Sequence, residues 1–239
     1  MDLVLIAAIG MALAFAFSNG FQDAANAIAT LVASRAARPL PAILMASVAN
    51  LLGPFLLGAA VANTVAGIVT VDPEVAVVVI GAGLTGAVAW NVITWYRGIP
   101  SSASHALVGG LVGAALVAAG LEAVAWGPVV DGHLGGVLGI LVGIFLAAGV
   151  GFVSSWLLER VALRLAGRWS TSAARPVRGA QWVTSAWLAF SHGANDASKA
   201  IGVIAALLVS AGLIDDVADT GVIVVFACSL ALTLGTAIG

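Results

Sequence analysis

The sequence predicts an all-α, polytopic membrane protein built from inverted repeats with broken helices. Three observations predict it. The 239 residues are 62% hydrophobic and only 8% charged, whereas soluble domains average about 45–50% and about 25%. One apolar segment with polar residues near its centre occurs twice, and the basic residues fall in alternate loops. Together these features indicate a duplicated chain that crosses a bilayer several times.

Composition also excludes several classes of protein. Apolar runs of about 20 residues, the length that spans a bilayer, recur along the chain, and no segment is long and polar enough for a soluble domain. The formal net charge of −2 and the lack of a basic stripe argue against nucleic-acid binding. The single cysteine, Cys228, excludes an intramolecular disulfide and a cysteine-based zinc cluster. We expect no cofactor and no resident metal, and a multi-pass protein of the cell membrane that contacts the lipid bilayer.

The repeated segment is the most informative feature of the chain. Residues 17–29 read FSNGFQDAANAIA, and residues 190–202 read FSHGANDASKAIG. Both copies place an acid inside an apolar stretch, Asp23 in the first and Asp196 in the second. A carboxylate within a membrane span costs several kcal/mol and by default marks a functional site. Two related copies therefore predict a site where the copies meet, which is the arrangement of secondary transporters.

The distribution of basic residues orients the chain. Arg35, Arg38 and Arg97 lie in two short loops, and five arginines lie in the polar stretch 160–180. Basic loops stay in the cytoplasm, so the N-terminus is predicted outside and the first crossing runs inward. The predicted crossings are residues 3–34, 41–70, 75–96, 99–121, 134–159, 181–213 and 220–239.

The predicted directions of the crossings also divide the chain into repeats. The first copy of the repeated segment lies on an inward crossing and the second on an outward crossing. The repeats are therefore predicted to be inverted about an axis in the membrane plane. We assign residues 1–159 to a first membrane repeat, 160–180 to a basic cytoplasmic loop, and 181–239 to the start of a second, incomplete repeat.

Both crossings that carry the repeated segment are too long for simple spans. A helix over residues 3–34 would measure about 48 Å at about 1.5 Å per residue, against a hydrocarbon core of about 30 Å. Glycine and hydrogen-bonding residues lie near the middle of each crossing. We predict an unwound turn at each copy, since non-helical backbone is tolerated at that depth where it faces protein or water.

Asp23 and Asp196 are the strongest candidate site residues. Asn26 and Asn195 lie beside them, and Gln22 has a supporting role. Carboxylates, side-chain amides and freed backbone carbonyls form an oxygen-rich shell that suits a small coupling cation or a proton. The alternative is that both acids cap helix starts, where Asp is favoured. Capping does not explain why the same pattern occurs twice.

A serine-rich segment forms a second candidate site. Pro100 precedes Ser101, Ser102 and Ser104, and proline is favoured at the entrance to a helix. Free N–H groups at a helix start, with hydroxyls beside them, can bind an anion without an arginine. The alternative is an ordinary serine N-cap at a membrane boundary.

Three further ionisable side chains lie in or beside these segments. His105 follows the serines and His192 lies inside the second copy, so both receive supporting roles as proton or hydrogen-bond donors. Lys199 stands where the first copy has Asn26. An ammonium beside Asp196 can neutralise it and fill the space of a bound cation. We therefore predict a Lys199–Asp196 pair and coupling to protons rather than sodium, the alternative being that Lys199 extends to the membrane interface.

At these residues the chain resembles the inorganic phosphate transporter (PiT) family. That family carries a G-x-N-D-x-x-N signature in each half, similar to residues 20–26 and 193–199 here, and a P-x-S-x-x-H segment, similar to residues 100–105. The resemblance implies secondary transport of inorganic phosphate with a cation, H⁺ or Na⁺, and a homodimer. The serines would then bind phosphate, and the two acids with their neighbouring amides would bind or relay the cation.

Two positions depart from the family signature. Gln22 stands where the signature has Asn, and Lys199 stands where it has its second Asn. Both departures resemble the bacterial low-affinity Pit branch, which implies proton coupling and uptake of metal–phosphate complexes. Ser101 follows Asp23 by 78 residues, so its counterpart after Asp196 would fall near position 274. We therefore expect a C-terminally truncated member of the family.

Two other functions fit parts of the pattern. A cation exchanger with inverted acidic repeats would use Asp23 and Asp196 but would not need the serine-rich segment. An intramembrane aspartyl protease would use two acids that share a proton, but the amide and ammonium groups beside them argue against it. We predict a transporter and not an enzyme.

Overall fold

The computed structural model of the chain describes residues 2–57, 67–127, 129–130, 133–167 and 173–239. The described residues form the α-helices α1 (Leu3–Gln22), α2 (Ala24–Ala33), α3 (Pro39–Leu57), α4 (Pro73–Tyr96), α5 (Ala103–Ala119), α6 (Gly136–Ala166), α7 (Ala174–Ser210) and α8 (Val222–Ile238). Two single-turn 3-10 helices, Leu121–Ala123 and Val217–Asp219, and one two-residue antiparallel pair, Val129–Val130 with His133–Leu134, lie in the connections. The predicted all-α class is confirmed.

Several helical segments are suited to a bilayer. Four are long and apolar enough to cross one: Leu3–Ala33, Pro39–Leu56, Pro73–Tyr96 and Gly136–Ala166. Helices α5 and α8 are also apolar but shorter, at 17 residues each. The helices begin and end near the predicted crossings, although residues 58–66 of the second crossing lie outside the described residues. The chain is therefore a multi-pass membrane protein.

Local sequence explains where the central helices begin and end. Asp72 precedes α4 in an extended conformation, and Pro73 takes the first helical position, where its missing N–H costs nothing. Gly98 follows the end of α4 with a φ of 62°, and Gly120 ends α5 with a φ of 78°. Glycine is favoured at such positions because it adopts left-handed backbone without steric cost.

The predicted break in the first crossing is present at Asp23. This residue lies between α1 and α2 with φ −100° and ψ 8°, outside helical geometry. The N–H of Asn26 bonds to the carbonyl oxygen of Asp23 at 3.0 Å, instead of reaching back four residues as in a regular helix. The backbone is therefore interrupted at the acid.

The predicted break in the second copy is wrong. Helix α7 continues without interruption through residues 190–202. Its 37 residues correspond to about 56 Å at about 1.5 Å per residue, and its first turns carry the exposed Arg175 and Arg178. Because the helix begins in this basic segment, only part of its length is apolar, and its length alone does not require an unwound turn.

The predicted basic loop is also shorter than residues 160–180. Helix α6 continues to Ala166, and α7 already begins at Ala174. Residues 168–172 lie outside the described residues. The cytoplasmic location of this segment stays a prediction.

Helices of the two halves pack in reciprocal pairs. Gly20 of α1 lies so close to α8 that an added Cβ would come within 2.0 Å of the Leu232 carbonyl oxygen. Gly193 of α7 lies equally close to α3, where an added Cβ would come within 2.2 Å of the Asn50 carbonyl oxygen. Each helix that carries a copy of the repeated segment therefore packs on the helix that follows the other copy. This exchange of partners is the pattern expected of two halves related by an approximate two-fold axis.

The helix directions are those of inverted repeats. Near one end, Leu5 of α1 lines the same cavity as Ser210 of α7. Near the other end, Asp23 lies 3.7 Å from His192. Helices α1 and α7 therefore run antiparallel, as an axis in the membrane plane requires.

The apolar core surrounds the repeated segments. Phe15, Leu84, Leu107, Ile201 and Leu232 are almost fully buried and come from five different helices. In a bilayer, where lipid is as apolar as these side chains, such a core is stabilised by close van der Waals packing between the helices. The polar residues of α1 and α7 are consequently held at the centre of the helix bundle.

Candidate functional site

The two copies of the repeated segment meet at a charged cluster, defined as Asp23, His192, Asp196 and Lys199. The imidazole of His192 lies between the two acids: its Nε2 is 2.7 Å from Asp196 Oδ2 and 3.7 Å from Asp23 Oδ2. Lys199 Nζ donates to Asp196 Oδ1. The Asp196 side chain is 9% exposed and that of Asp23 is 22% exposed. The cluster thus joins an acid at a helix break to an acid inside a continuous helix.

The predicted Lys199–Asp196 pair is confirmed. Lys199 is buried, with 10% of its side chain exposed, so the alternative that it extends to the interface is wrong. Two carboxylates and one ammonium give the cluster a formal charge of −1, and a protonated His192 makes it neutral. Because an uncompensated charge is costly in apolar surroundings, this cluster is suited to hold a proton.

Neither acid caps a helix through its side chain. Asp23 precedes α2, yet its carboxylate makes no capping hydrogen bond. It accepts instead from the Asn26 side chain, whose Nδ2 lies 2.9 Å from Asp23 Oδ1. Asp196 lies deep inside α7. Asp23 therefore occupies the N-cap position of α2 without a side-chain capping bond, and the capping alternative is wrong for Asp196.

Two buried polar residues that the sequence analysis missed hold the imidazole from its other side. Asn50 Oδ1 lies 3.3 Å from His192 Nδ1, and Asn50 Nδ2 donates to Thr236 Oγ1 at 2.9 Å. Asn50 is 1% exposed and Thr236 is 4% exposed. Each is one polar residue in an apolar run, and no local pattern marks it, since the contact arises from the packing of α3, α7 and α8.

A cavity of about 330 Å³ lies beside the cluster. Its polar lining comes from Gln22, Asp23, Asn26, Thr94 and Ser101. Gln22 Nε2 donates to the Ser101 carbonyl oxygen at 3.2 Å, while Gln22 Oε1 is buried and has no hydrogen-bond partner among the described residues. The structure therefore brings the first copy of the repeated segment to the serine-rich segment, and Asp23 belongs to both the cavity and the cluster.

Other residues predicted for the anion site lie elsewhere. Helix α5 begins at Ala103, and Ser102 is its N-cap, accepting from the His105 N–H at 3.4 Å. Ser102, Ser104 and His105 do not line the cavity beside Asp23. His105 is exposed and lines a different cavity with Trp90. Of the three predicted serines, only Ser101 therefore faces the candidate site, and the N-cap alternative describes Ser102.

Two asparagines of the repeated segments, Asn195 and Asn19, lie outside the charged cluster. Asn195 is exposed on α7 and is not part of the charged cluster. Asn19, which the sequence analysis did not select, is fully buried, and neither atom of its side-chain amide has a hydrogen-bond partner among the described residues. Asn19 aligns with His192 in the repeat. Comparing the two copies position by position would have identified it.

The cluster has some features of a metal site. One ligand atom from each of Asp23, His192 and Asp196 lies within 4.8 Å of the others. Lys199, however, already binds Asp196, and its positive charge repels a further cation. We therefore assign this group no metal.

Comparison with known proteins identifies the family. The model of the phosphate transporter family matches residues 19–175 and 164–239. The chain belongs to the phosphate transporter family. Members of this family are named as transporters, so the protein is a transporter and not an enzyme, as the sequence predicts.

Three relatives illustrate the range of similarity. A probable low-affinity inorganic phosphate transporter of Bacillus subtilis is 41% identical over 100% of this chain and 71% of its own length. A protein of the same description from Mycobacterium bovis is 38% identical over 99% of this chain and 55% of its own length. The low-affinity inorganic phosphate transporter PitA of Escherichia coli is 32% identical over 92% of this chain and 49% of its own length. The chain thus spans about half the length of the latter two relatives.

A solved structure has the same fold. It is described as the sodium-dependent phosphate transporter, and it superposes on 98% of this chain and 75% of its own chain with a TM-score of 0.74. The sequence identity is 23%, so this similarity concerns the fold alone.

Proposed function

We propose that this chain forms part of a secondary active transporter that imports inorganic phosphate by symport with protons. The main support is that Asp23 lines the cavity next to Ser101 and also lies in the charged cluster. An anion in the cavity and a proton in the cluster would therefore interact through one carboxylate. Family membership supports phosphate as the substrate.

The cavity offers groups that suit phosphate. Ser101 lines it, and its hydroxyl oxygen accepts from Trp90 Nε1 at 2.9 Å, so the O–H hydrogen can donate to an anion. The buried Gln22 Oε1 can accept from a P–OH group, which favours a protonated, singly charged phosphate. A phosphate with more charge would meet stronger repulsion from Asp23.

Electrostatics explains why a proton should accompany the anion. Two like unit charges about 4 Å apart repel by about 4 kcal/mol at an effective dielectric constant of about 20. One hydrogen bond contributes about 0.5–1.5 kcal/mol net. Phosphate binding beside an ionised Asp23 is therefore unfavourable unless a proton enters the cluster. Asp23, Asn26, Asp196 and Lys199 are the proposed relay residues, and His192 supports them, whereas Asn195, which is exposed outside the cluster, receives no role.

Lys199 favours protons over sodium as the coupling ion. Its ammonium provides a permanent positive charge against Asp196. A sodium ion at the same carboxylate would have to displace that ammonium or lie next to it. A proton needs no coordination shell and can be held by the imidazole between the acids.

The other two functions receive less support. A cation exchanger would not need the cavity that Ser101 and Gln22 line. A protease dyad requires two carboxyl groups that share one proton, whereas here an imidazole lies between Asp23 and Asp196.

The test is radiolabelled phosphate uptake into proteoliposomes that contain the full-length protein. An inward proton gradient without sodium should drive uptake, and an inward sodium gradient at equal pH should not. Uptake driven by sodium alone would keep phosphate as the substrate and contradict proton coupling. Proton-driven uptake of a divalent cation without phosphate would favour the exchanger.

Two finer features of substrate and orientation are also part of the proposal. Phosphate can travel as a complex with a divalent metal, which reduces its negative charge beside Asp23. Uptake that needs added Mg²⁺ and carries it in equal amount would support this.

The basic loops predict that the N-terminus lies outside. Protease access to a tag at residue 1 in intact cells tests this orientation.

A homodimer is the proposed assembly. In the span Gly136–Ala166, only 6% of its apolar 18-residue stretch is buried inside the protein, and the side chains of Phe145 and Phe152 are largely exposed. Such a helix needs lipid or protein against it. Cross-linking between cysteines introduced along α6 should yield a dimer, whereas the lack of any cross-link along this helix would assign it to lipid.

A further inference from the structure

The strongest unassigned feature is a chain of buried hydrogen bonds behind the imidazole of His192. It runs from the Leu232 carbonyl through Thr236 and Asn50 to the ring. Thr236 Oγ1 donates to the Leu232 carbonyl oxygen at 3.1 Å. Its oxygen therefore remains free to accept, and Asn50 Nδ2 donates to it at 2.9 Å.

This chain determines how the Asn50 amide faces the ring. With Nδ2 directed to Thr236, the oxygen of the amide faces His192 Nδ1 at 3.3 Å. An amide oxygen can only accept. Nδ1 must therefore carry a hydrogen, whether or not the ring is charged.

The other ring nitrogen then has one remaining role. Nε2 faces Asp196 Oδ2 at 2.7 Å and Asp23 Oδ2 at 3.7 Å. Nε2 makes no hydrogen bond of regular geometry with either acid, but without a proton it would place its partial negative charge next to two carboxylates, which is unfavourable. A proton placed there interacts with both acids and makes the cluster neutral, with Lys199 as the second positive charge.

We propose that Thr236 and Asn50 are positioning residues that hold His192 as its Nδ1–H tautomer, so that Nε2, between the acids of the two repeats, is the atom that takes up and releases the transported proton. This inference deepens the proposed function and rests on it. Uptake converts a neutral ring with hydrogen on Nδ1 into an imidazolium, and release from Nε2 to water returns the same tautomer. No other bond changes.

The groups that face the ring come from four helical segments. Asp196 and Lys199 lie on α7 itself, and Asp23 lies at the α1–α2 break. Asn50 on α3 and Thr236 on α8 do not ionise. The acids thus attract the proton, whereas the neutral pair determines which nitrogen receives it.

The direct test is solid-state NMR of the full-length protein in liposomes with ¹⁵N-labelled histidine. Comparison with a His192→Gln variant assigns the His192 signals. Over a pH series that takes the ring from its charged to its neutral form, Nδ1 should stay protonated while Nε2 gains and loses its hydrogen. A neutral ring that carries its hydrogen on Nε2 would overturn the inference.

A second test uses three variants on α8. Thr236→Val removes the hydroxyl that orients Asn50, so the amide can turn its NH₂ toward Nδ1 and disfavour the imidazolium. The pH profile of proton-driven phosphate uptake should therefore move to lower pH by about one unit. Thr236→Ser keeps the hydroxyl and should restore the wild-type profile.

Thr233→Val is the matched control, because Thr233 lies on the same helix and its buried Oγ1 has no hydrogen-bond partner among the described residues. It should leave the pH profile unchanged. A Thr236→Val profile identical to that of Thr233→Val would overturn the positioning role. If uptake is driven by protons but the NMR signals show that Nδ1 gains and loses the hydrogen, this inference is wrong and the proposed function stands. If uptake does not respond to the proton gradient, both the proposed function and the role of His192 as proton carrier are wrong.

Discussion

The two copies of the repeated segment share seven of their 13 residues and have different structures. The first is interrupted at Asp23 and lines the cavity beside Ser101. The second is a continuous helix, and its Asp196 is compensated by His192 and Lys199 from the same helix. The two copies therefore differ in role. The first has an interrupted backbone next to the cavity, and the second remains helical and contains most of the charged cluster.

The largest expected effect concerns the charges of the second copy. Replacing Asp196 by Asn leaves the buried ammonium of Lys199 without its partner, and breaking a buried pair in this way costs about 3–5 kcal/mol. Replacing Asp23 by Asn removes a more exposed acid and should cost less than about 1 kcal/mol. Unfolding in detergent, followed by tryptophan fluorescence, compares them. Equal destabilisation by both variants would contradict the division between the copies.

The next effect tests what the copies share, which is the reciprocal packing of their glycines. Gly20→Ala and Gly193→Ala each force a Cβ against the backbone of the partner helix and should destabilise the protein by similar amounts, about 1–3 kcal/mol. Gly10→Ala is the control, because nothing lies within 4 Å of its added Cβ. A large loss in only one of the first two variants, measured by the shift in Tm, would argue against the approximate two-fold relation.

A smaller effect separates substrate binding from charge compensation. Gln22→Leu removes the hydrogen bond to Ser101 and the free acceptor in the cavity, so the KM for phosphate should rise about tenfold, the equivalent of one to two hydrogen bonds. Gln181→Leu is the control, since Gln181 accepts from Ser34 outside this cavity. An unchanged KM in Gln22→Leu would remove this side chain from the phosphate site.

The smallest effect is expected at Asn26, the counterpart of Lys199. Its amide donates to Asp23 at 2.9 Å, but the pair is exposed, so Asn26→Ala should lower the free energy of unfolding by less than about 1 kcal/mol. Differential scanning calorimetry of this variant beside wild type measures the difference. A loss as large as that of Asp196→Asn would mean that both copies depend equally on a partner for their acid.

Much of this architecture could be predicted from the sequence. The all-α membrane class follows from composition, and the Lys199–Asp196 pair follows from a spacing of three residues, which places both side chains on one helix face. The break at Asp23 was also predicted correctly. These features depend on neighbouring residues, so local sequence contains the necessary information.

The features that sequence reasoning missed depend on distant residues or on compensation. The second copy is a continuous helix, in which His192 and Lys199 lie four and three residues from Asp196 and compensate its charge. Asn50 and Thr236 meet only because α3 and α8 pack against the repeated segments. Ser101 faces the cavity while Ser102 turns to cap α5, and this choice depends on the Gln22 and Trp90 contacts of Ser101.

The most direct test of the role of Asp23 is phosphate transport by Asp23→Asn in sodium-free proteoliposomes. We expect this variant to exchange internal for external phosphate still, because the cavity remains, but no longer to accumulate phosphate under a proton gradient. Asp72→Asn, at an exposed acid without a capping role, should accumulate phosphate as wild type does. Full proton-driven accumulation by Asp23→Asn would contradict the claim that this carboxylate joins the substrate cavity to the proton site.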